Sequence, residues 1–113
     1  MTAGEAITRA DALMPNQFPA SEKLLWLREL DGQIARETGA GLPDASYGEE
    51  SVLLADAPDE ALYLHWLQAR MLYFLGEFTR YQNAMAQFNA AYLAFTAAKL
   101  RAEKPAARAQ LRY

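Results

Sequence analysis

The chain contains no cysteine and a single histidine, which closes several chemistries at once. Without thiols there is no disulfide, no thiolate zinc site and no cysteine nucleophile. The same absence leaves oxidising and reducing compartments indistinguishable by cysteine usage. Long apolar runs are missing as well. The most apolar stretch, Ala61 to Leu75, is interrupted by His65, Gln68 and Arg70 and is too short and polar to span a bilayer. The residues after Met1 lack the basic start and apolar run of a secretory signal. A soluble protein with no membrane partner is therefore expected. Gly-rich phosphate loops and Gly-x-Ser-x-Gly elbows are also absent.

What remains is an ordinary globular balance. Of 113 residues, 52% are hydrophobic and 22% charged, well away from the composition of disordered chains. One domain of this size buries roughly two-thirds of the surface its unfolded chain exposes, so it needs no covalent staple. The net charge of −3 conceals an asymmetry. Residues 1–60 hold twelve acids against four bases, whereas residues 61–113 hold two acids against seven bases. An acidic chain is a poor candidate for a dedicated nucleic-acid binder, which normally carries a basic field.

The apolar spacing is helical along most of the chain. Thr2 followed by Glu5 is a capping box, and Ala6, Ile7, Ala10, Leu13 and Met14 continue a helix that Pro15-Asn16 stops. A second helix starts near Ser21 with Leu24, Leu27, Leu30 and Ile34 as its inward stripe and Trp26 on a flank. Gly39-Ala40-Gly41 ends it. Pro58, with Asp59 and Glu60 in the first turn, opens a third helix that runs to Leu75. Thr79 with Gln82 reads as a second capping box, opening a fourth helix to about Lys104. Its stripe of Tyr81, Met85, Phe88, Tyr92, Phe95 and Lys99 follows a heptad seam. Seven alanines between Ala84 and Ala98 let another helix approach closely. These signals predict an all-α fold: a bundle of about four helices with a long hairpin over 58–75 and 80–104 and a long acidic loop over 39–57. Residues 1–104 form one domain, and 105–113 read as a flexible basic tail.

No catalytic, metal or cofactor site emerges. His65, between Leu64 and Trp66, reads as a core or boundary histidine with a satisfied ring nitrogen, since no nucleophile or carboxylate is placed beside it. Glu49-Glu50 and Asp59-Glu60 read as a solvated loop and a helix start rather than a cation site. The aromatics of the last two helices are spaced as core, with a surplus available to line a protein interface. The loop is the segment most suspected of function, because connections of this length tend to be functional or mobile. Its acids Asp44, Glu49, Glu50 and Asp56 face no local base. They and the basic C-terminal residues Lys99, Arg101, Lys104, Arg108 and Arg112 are the candidate contacts to a neighbouring copy or another assembly component.

Several blocks resemble a family of small structural proteins of tailed phages and prophages, the head–tail connector (adaptor) proteins. They are Arg9-Ala10-Asp11-Ala12-Leu13 with Pro15-Asn16-Gln17-Phe18, and Glu22-Lys23 to Trp26-Leu27 with Glu29-Leu30-Asp31-Gly32. Gly76-Glu77-Phe78 with Arg80-Tyr81-Gln82-Asn83, followed by Phe88-Asn89-Ala90-Ala91-Tyr92, completes the set. The resemblance covers about residues 5–98 and does not extend into the alanine- and arginine-rich end. It implies a mainly helical, non-catalytic subunit without cofactors. It also implies a ring of about twelve copies between portal and tail-side proteins, with DNA passing through the central channel without sequence-specific binding. Such a subunit belongs to the virion, and to the bacterial host cytoplasm before assembly. A small helical regulatory module that binds a protein or peptide in an apolar groove is the competing reading.

Overall fold

The structure is a computed structural model that describes residues 1–103. Lys104, Arg108, Arg112 and the expected tail lie outside the described residues. Four helices follow in order: α1 (Ala3–Leu13), α2 (Ala20–Thr38), α3 (Ala61–Phe74) and α4 (Phe78–Glu103). Among the described residues there is no strand, only an isolated antiparallel bridge between Thr2 and Val52. The all-α bundle is as expected, and no described helix is long and apolar enough to cross a membrane.

Local signals set most of the boundaries. The Thr2 hydroxyl accepts from the Glu5 N–H at 3.2 Å, while the Glu5 carboxylate accepts from the Thr2 N–H at 3.1 Å. This reciprocal pair starts α1 as its spacing predicts. Asn16 stops it. The Asn16 side chain donates to the Asp11 carboxylate and the Met14 carbonyl and accepts from the Phe18 N–H, a polar clip that turns the chain toward α2. Gly39, at φ 80°, closes α2. Between α3 and α4, Gly76 at φ 76° lets Glu77 N–H reach the Leu72 carbonyl and Gly76 N–H reach that of Tyr73. This double closure folds the chain back at once, and only glycine enters that backbone region without cost.

Two helix starts differ from expectation. Pro58, Asp59 and Glu60 stay in a turn, and α3 begins at Ala61, so no acid occupies its first turn. Thr79 lies inside α4 rather than capping it. The Glu77 carbonyl accepts from Tyr81 N–H instead, and the Glu77 carboxylate pairs with Arg80 at 3.2 Å. The tight Gly76 turn starts α4 at Phe78, one residue ahead of the expected Thr79 cap.

α3 is the centre of the packing. It contacts α1, α2 and most extensively α4, whereas α1 and α4 do not approach each other. Ala3, Ala6 and Ala10 are buried on α1, so its backbone comes close to its neighbours. Leu27, Leu30 and Ile34 of α2, Tyr63, Leu67 and Met71 of α3, and Phe88 and Phe95 of α4 fill the common core. Trp26 is also core, only 3% exposed, rather than a flank residue. It stacks on Phe74 at 5.7 Å, takes Phe18 edge-on at 5.5 Å, and its carbonyl accepts from the Trp66 indole. The alanines of α4 also depart from expectation. Ala84 is buried, but Ala86, Ala90, Ala94 and Ala98 face outward and Lys99 is exposed, so the small-residue face is uncovered.

Trp26→Ala should therefore cost about 3–5 kcal/mol, as for large aromatic truncations in a packed core. Leu25→Ala, one position away and half exposed, should cost under about 1 kcal/mol. Urea unfolding of the two variants measures the difference, and equal costs would return Trp26 to the flank.

Candidate assembly surfaces

The acidic loop is held by a buried carboxylate. Asp31, on the inner face of α2, is 1% exposed. It accepts from the Tyr63 hydroxyl of α3 at 2.7 Å and from the Tyr47 hydroxyl of the loop at 3.1 Å. Tyr63 in turn accepts from the Ala55 N–H at 2.8 Å. Burial raises the Asp31 carboxyl above the ordinary aspartate range, and the donors Tyr63, Tyr47 and Leu54 N–H offset this only in part. Both phenols are pushed up, by burial first and then by the adjoining carboxylate. A second buried polar contact, Lys23 to Asp11 at 2.7 Å, joins α2 to α1. Burial opposes ionisation of Asp11, but the Lys23 ammonium and the Asn16 amide outweigh it and hold its carboxyl below the usual range.

The loop is also fastened along α1. Ala3 N–H donates to the Ser51 carbonyl at 2.9 Å and Gly4 N–H to the Glu49 carbonyl at 2.8 Å. These are helix-start donors that have no partner inside the helix. A Cβ at Gly4 would sit 3.1 Å from the Glu49 carbonyl oxygen, so glycine lets the loop approach this closely without displacing the Glu49 backbone. Leu53 and Ala55 enter the core. The loop's one apolar run, Val52-Leu53-Leu54, thus places Leu53 in the core, while Val52 faces solvent.

On this fixed backbone the acids point outward. Asp44, Glu49, Glu50 and Asp56 are all exposed. Asp44 accepts from the Ser46 hydroxyl at 2.6 Å and its N–H at 2.9 Å, which lower its carboxyl. The other three have unengaged carboxylates among the described residues. Lys99 and Arg101 are exposed on the last turns of α4. Lys99 shares a small cleft with Glu37, Thr38, Thr96 and Leu100, beside the Tyr92 hydroxyl, which donates to the Glu37 carboxylate. The loop acids and the α4 bases are therefore not paired within one subunit. Glu49 is fixed against the start of α1, whereas Lys99 lies beside the end of α2.

Two further surfaces are exposed, on α4 and at the hairpin turn, where the sequence had offered a close helix approach and a surplus of aromatics. From Tyr81 to Ala98 there is no charged residue, and half of this stretch, including Ala86, Ala90, Leu93 and Ala94, is exposed. At the hairpin turn, Tyr73, Phe74, Leu75 and Phe78 are exposed although their spacing read as core. Among the described residues no group of three acids or histidines could hold a metal ion. His65 is half-buried, and its Nδ1 has no partner among them, contrary to the satisfied nitrogen expected. No protein-family model, curated protein or solved structure matches the chain.

The Asp31 shift has a definite sign. A carboxyl raised in the folded state keeps its proton where the unfolded chain has released it. Its contribution to stability is full below the ordinary aspartate value and falls as pH rises through the raised folded value. Asp31→Asn removes that segment and leaves Asp11, Glu5 and Asp44 in place. In urea titrations from about pH 4 to about pH 8, wild type should lose stability relative to the variant as pH rises. A difference independent of pH would contradict the shift. Tyr47→Phe should cost about 1 kcal/mol and speed amide exchange at Ala3 and Gly4, while Tyr63→Phe should cost more because it also orphans Ala55 N–H.

Proposed function

We propose that the chain is a structural subunit of a tailed-phage or prophage head–tail connector, assembling into a ring between portal and tail-side proteins around the DNA channel. The observation that carries this reading is the charge-free exposed face of α4, residues 81–98, bounded by Lys99 and Arg101. Ordinary solvated surfaces are rich in charge, and interface centres are depleted of it. The acidic loop is the complementary surface, and its exposed carboxylates pair with no base of the same subunit among the described residues. Unpaired opposite charges favour a contact in which one copy's loop meets the next copy's α4, a heterologous arrangement that closes into a ring where the rotation permits. The sequence resemblance names the kind of assembly, and this reading accounts for an exposed surface that a solitary subunit would leave without use. The work of the protein is then joining: the α3–α4 hairpin is a stiff post, and the loop and α4 face are its lateral connectors.

Native mass spectrometry over a wide concentration range tests the proposal. A discrete species near about twelve copies is expected, loosening as salt shortens the Debye length. Glu49→Lys with Glu50→Lys should weaken association at least about tenfold. Mixing with a Lys99→Glu, Arg101→Glu chain should restore it. A strict two-fold dimer would instead favour the regulatory-module reading.

A further inference from the structure

We propose that the turn end of the α3–α4 hairpin is a second docking surface, built to take an apolar protein segment that carries a carboxylate. This surface adjoins the start of the α4 face at Tyr81, which Tyr73 meets at 5.4 Å, but it includes none of the loop acids or the basic residues at the end of α4. Phe74 and Leu75 are each 54% exposed and Phe78 is 58% exposed. With Tyr73, 47% exposed, they set four half-exposed apolar side chains side by side in solvent, a contiguous patch of the kind that often serves an interaction. The patch is continuous. Tyr73 meets Phe74 at 5.4 Å and Phe78 at 6.2 Å, and Phe74 lies on Trp26, which Phe18 flanks. Between Leu75 and the Pro15–Phe18 connection runs an open cleft of about 410 Å³, room for a few aliphatic side chains. One wall is held by the Asn16 clip and by Phe18 against Trp26.

Charge selects the occupant. The Arg70 guanidinium lies 5.5 Å from the Trp66 ring and 5.4 Å from the Phe74 ring. It pairs with no carboxylate among the described residues, and its Nε is buried without a hydrogen-bond partner. The nearby Arg80 is already paired with Glu77. The patch therefore holds one surplus cation at the edge of an aromatic surface, where an incoming carboxylate is poorly screened and gains more than in open water. Nucleic acid is a weaker fit despite the exposed rings. One free cation neutralises about one phosphate, Glu77 stands at the rim, and the chain carries a net charge of −3.

The test uses labelled helical peptides of leucine and glutamate, or of leucine and lysine, with fluorescence anisotropy as the readout. The glutamate peptide should bind at least about tenfold more tightly. Arg70→Gln should abolish that preference while far-UV circular dichroism stays unchanged, and Phe78→Ser should weaken both peptides. Equal affinity for the two peptides, or binding unaffected by Phe78→Ser, would overturn the assignment. So would tighter binding of labelled oligothymidine. A native-mass increase removed by Phe78→Ser but not by the Glu49, Glu50 reversal would replace the peptide with a second copy of the chain. That outcome is distinct from loss of the ring, which the loop and α4 variants report.

Discussion

The structure depends on one dry carboxylate. Asp31 sits where no water reaches it, and its two oxygens are satisfied by phenols from different parts of the chain, Tyr63 in α3 and Tyr47 in the loop. A buried acid without such donors would be strongly destabilising, so the fold and the loop position are mutually conditional. Tyr63 extends the arrangement by accepting from Ala55 N–H, which lies next to the segment that places Leu53 in the core. Hydrophobic burial packs the helices, but it is non-directional. The directional bonds around Asp31 decide which stretch of a long connection lies over α2 and α3.

That dependence also explains which parts of the molecule could be read beforehand. Signals confined to one turn were legible: the Thr2–Glu5 box, the Gly39 exit, the Gly76 reversal and the apolar stripes of α1 and α2. Each is completed by residues within a few positions of one another. Asp31 was not legible as a buried acid, because nothing on its own helix distinguishes it from the solvated Glu29 two positions earlier. Its partners lie sixteen and thirty-two residues away. Lys23 was hidden for the same reason, since its carboxylate comes from another helix. Thr79 misled because its local pattern is valid and a stronger constraint, the turn at Gly76, had already committed the chain.

The candidate surfaces were only half legible. Charge can be counted, so the loop acids and the basic end were visible as opposites. Their exposure, and the absence of pairing between them among the described residues, follow from the packing and could not be counted. Aromatics erred in the other direction. Helical spacing treats Phe74, Phe78 and Phe88 alike, yet Phe88 is buried, Phe74 is covered on one face by Trp26, and Phe78 is more than half exposed. α1 ends at Leu13, and among the described residues no helix lies over the outer faces of Tyr73, Phe74, Leu75 and Phe78. Apolar surface is left at this end of the bundle, with the paired Arg80 and Glu77 beside it.

The way the loop is fastened bears directly on assembly. A free connection of about twenty residues would lose its conformational entropy on meeting a neighbour, and that loss would be charged against binding. Here most of the ordering has occurred during folding. Tyr47, Leu53 and Ala55 are fixed to the core side, and the carbonyls of Glu49 and Ser51 are fixed to α1. The carboxylates of Glu49 and Glu50 thus stand on a backbone already in place, with only their side-chain rotamers left to order. Exposed ion pairs are individually weak, so a contact built from them gains chiefly from pre-organisation and from the charge-free α4 face that they border. On this logic the buried Asp31 carboxylate, which touches no partner, governs how well the outward acids can.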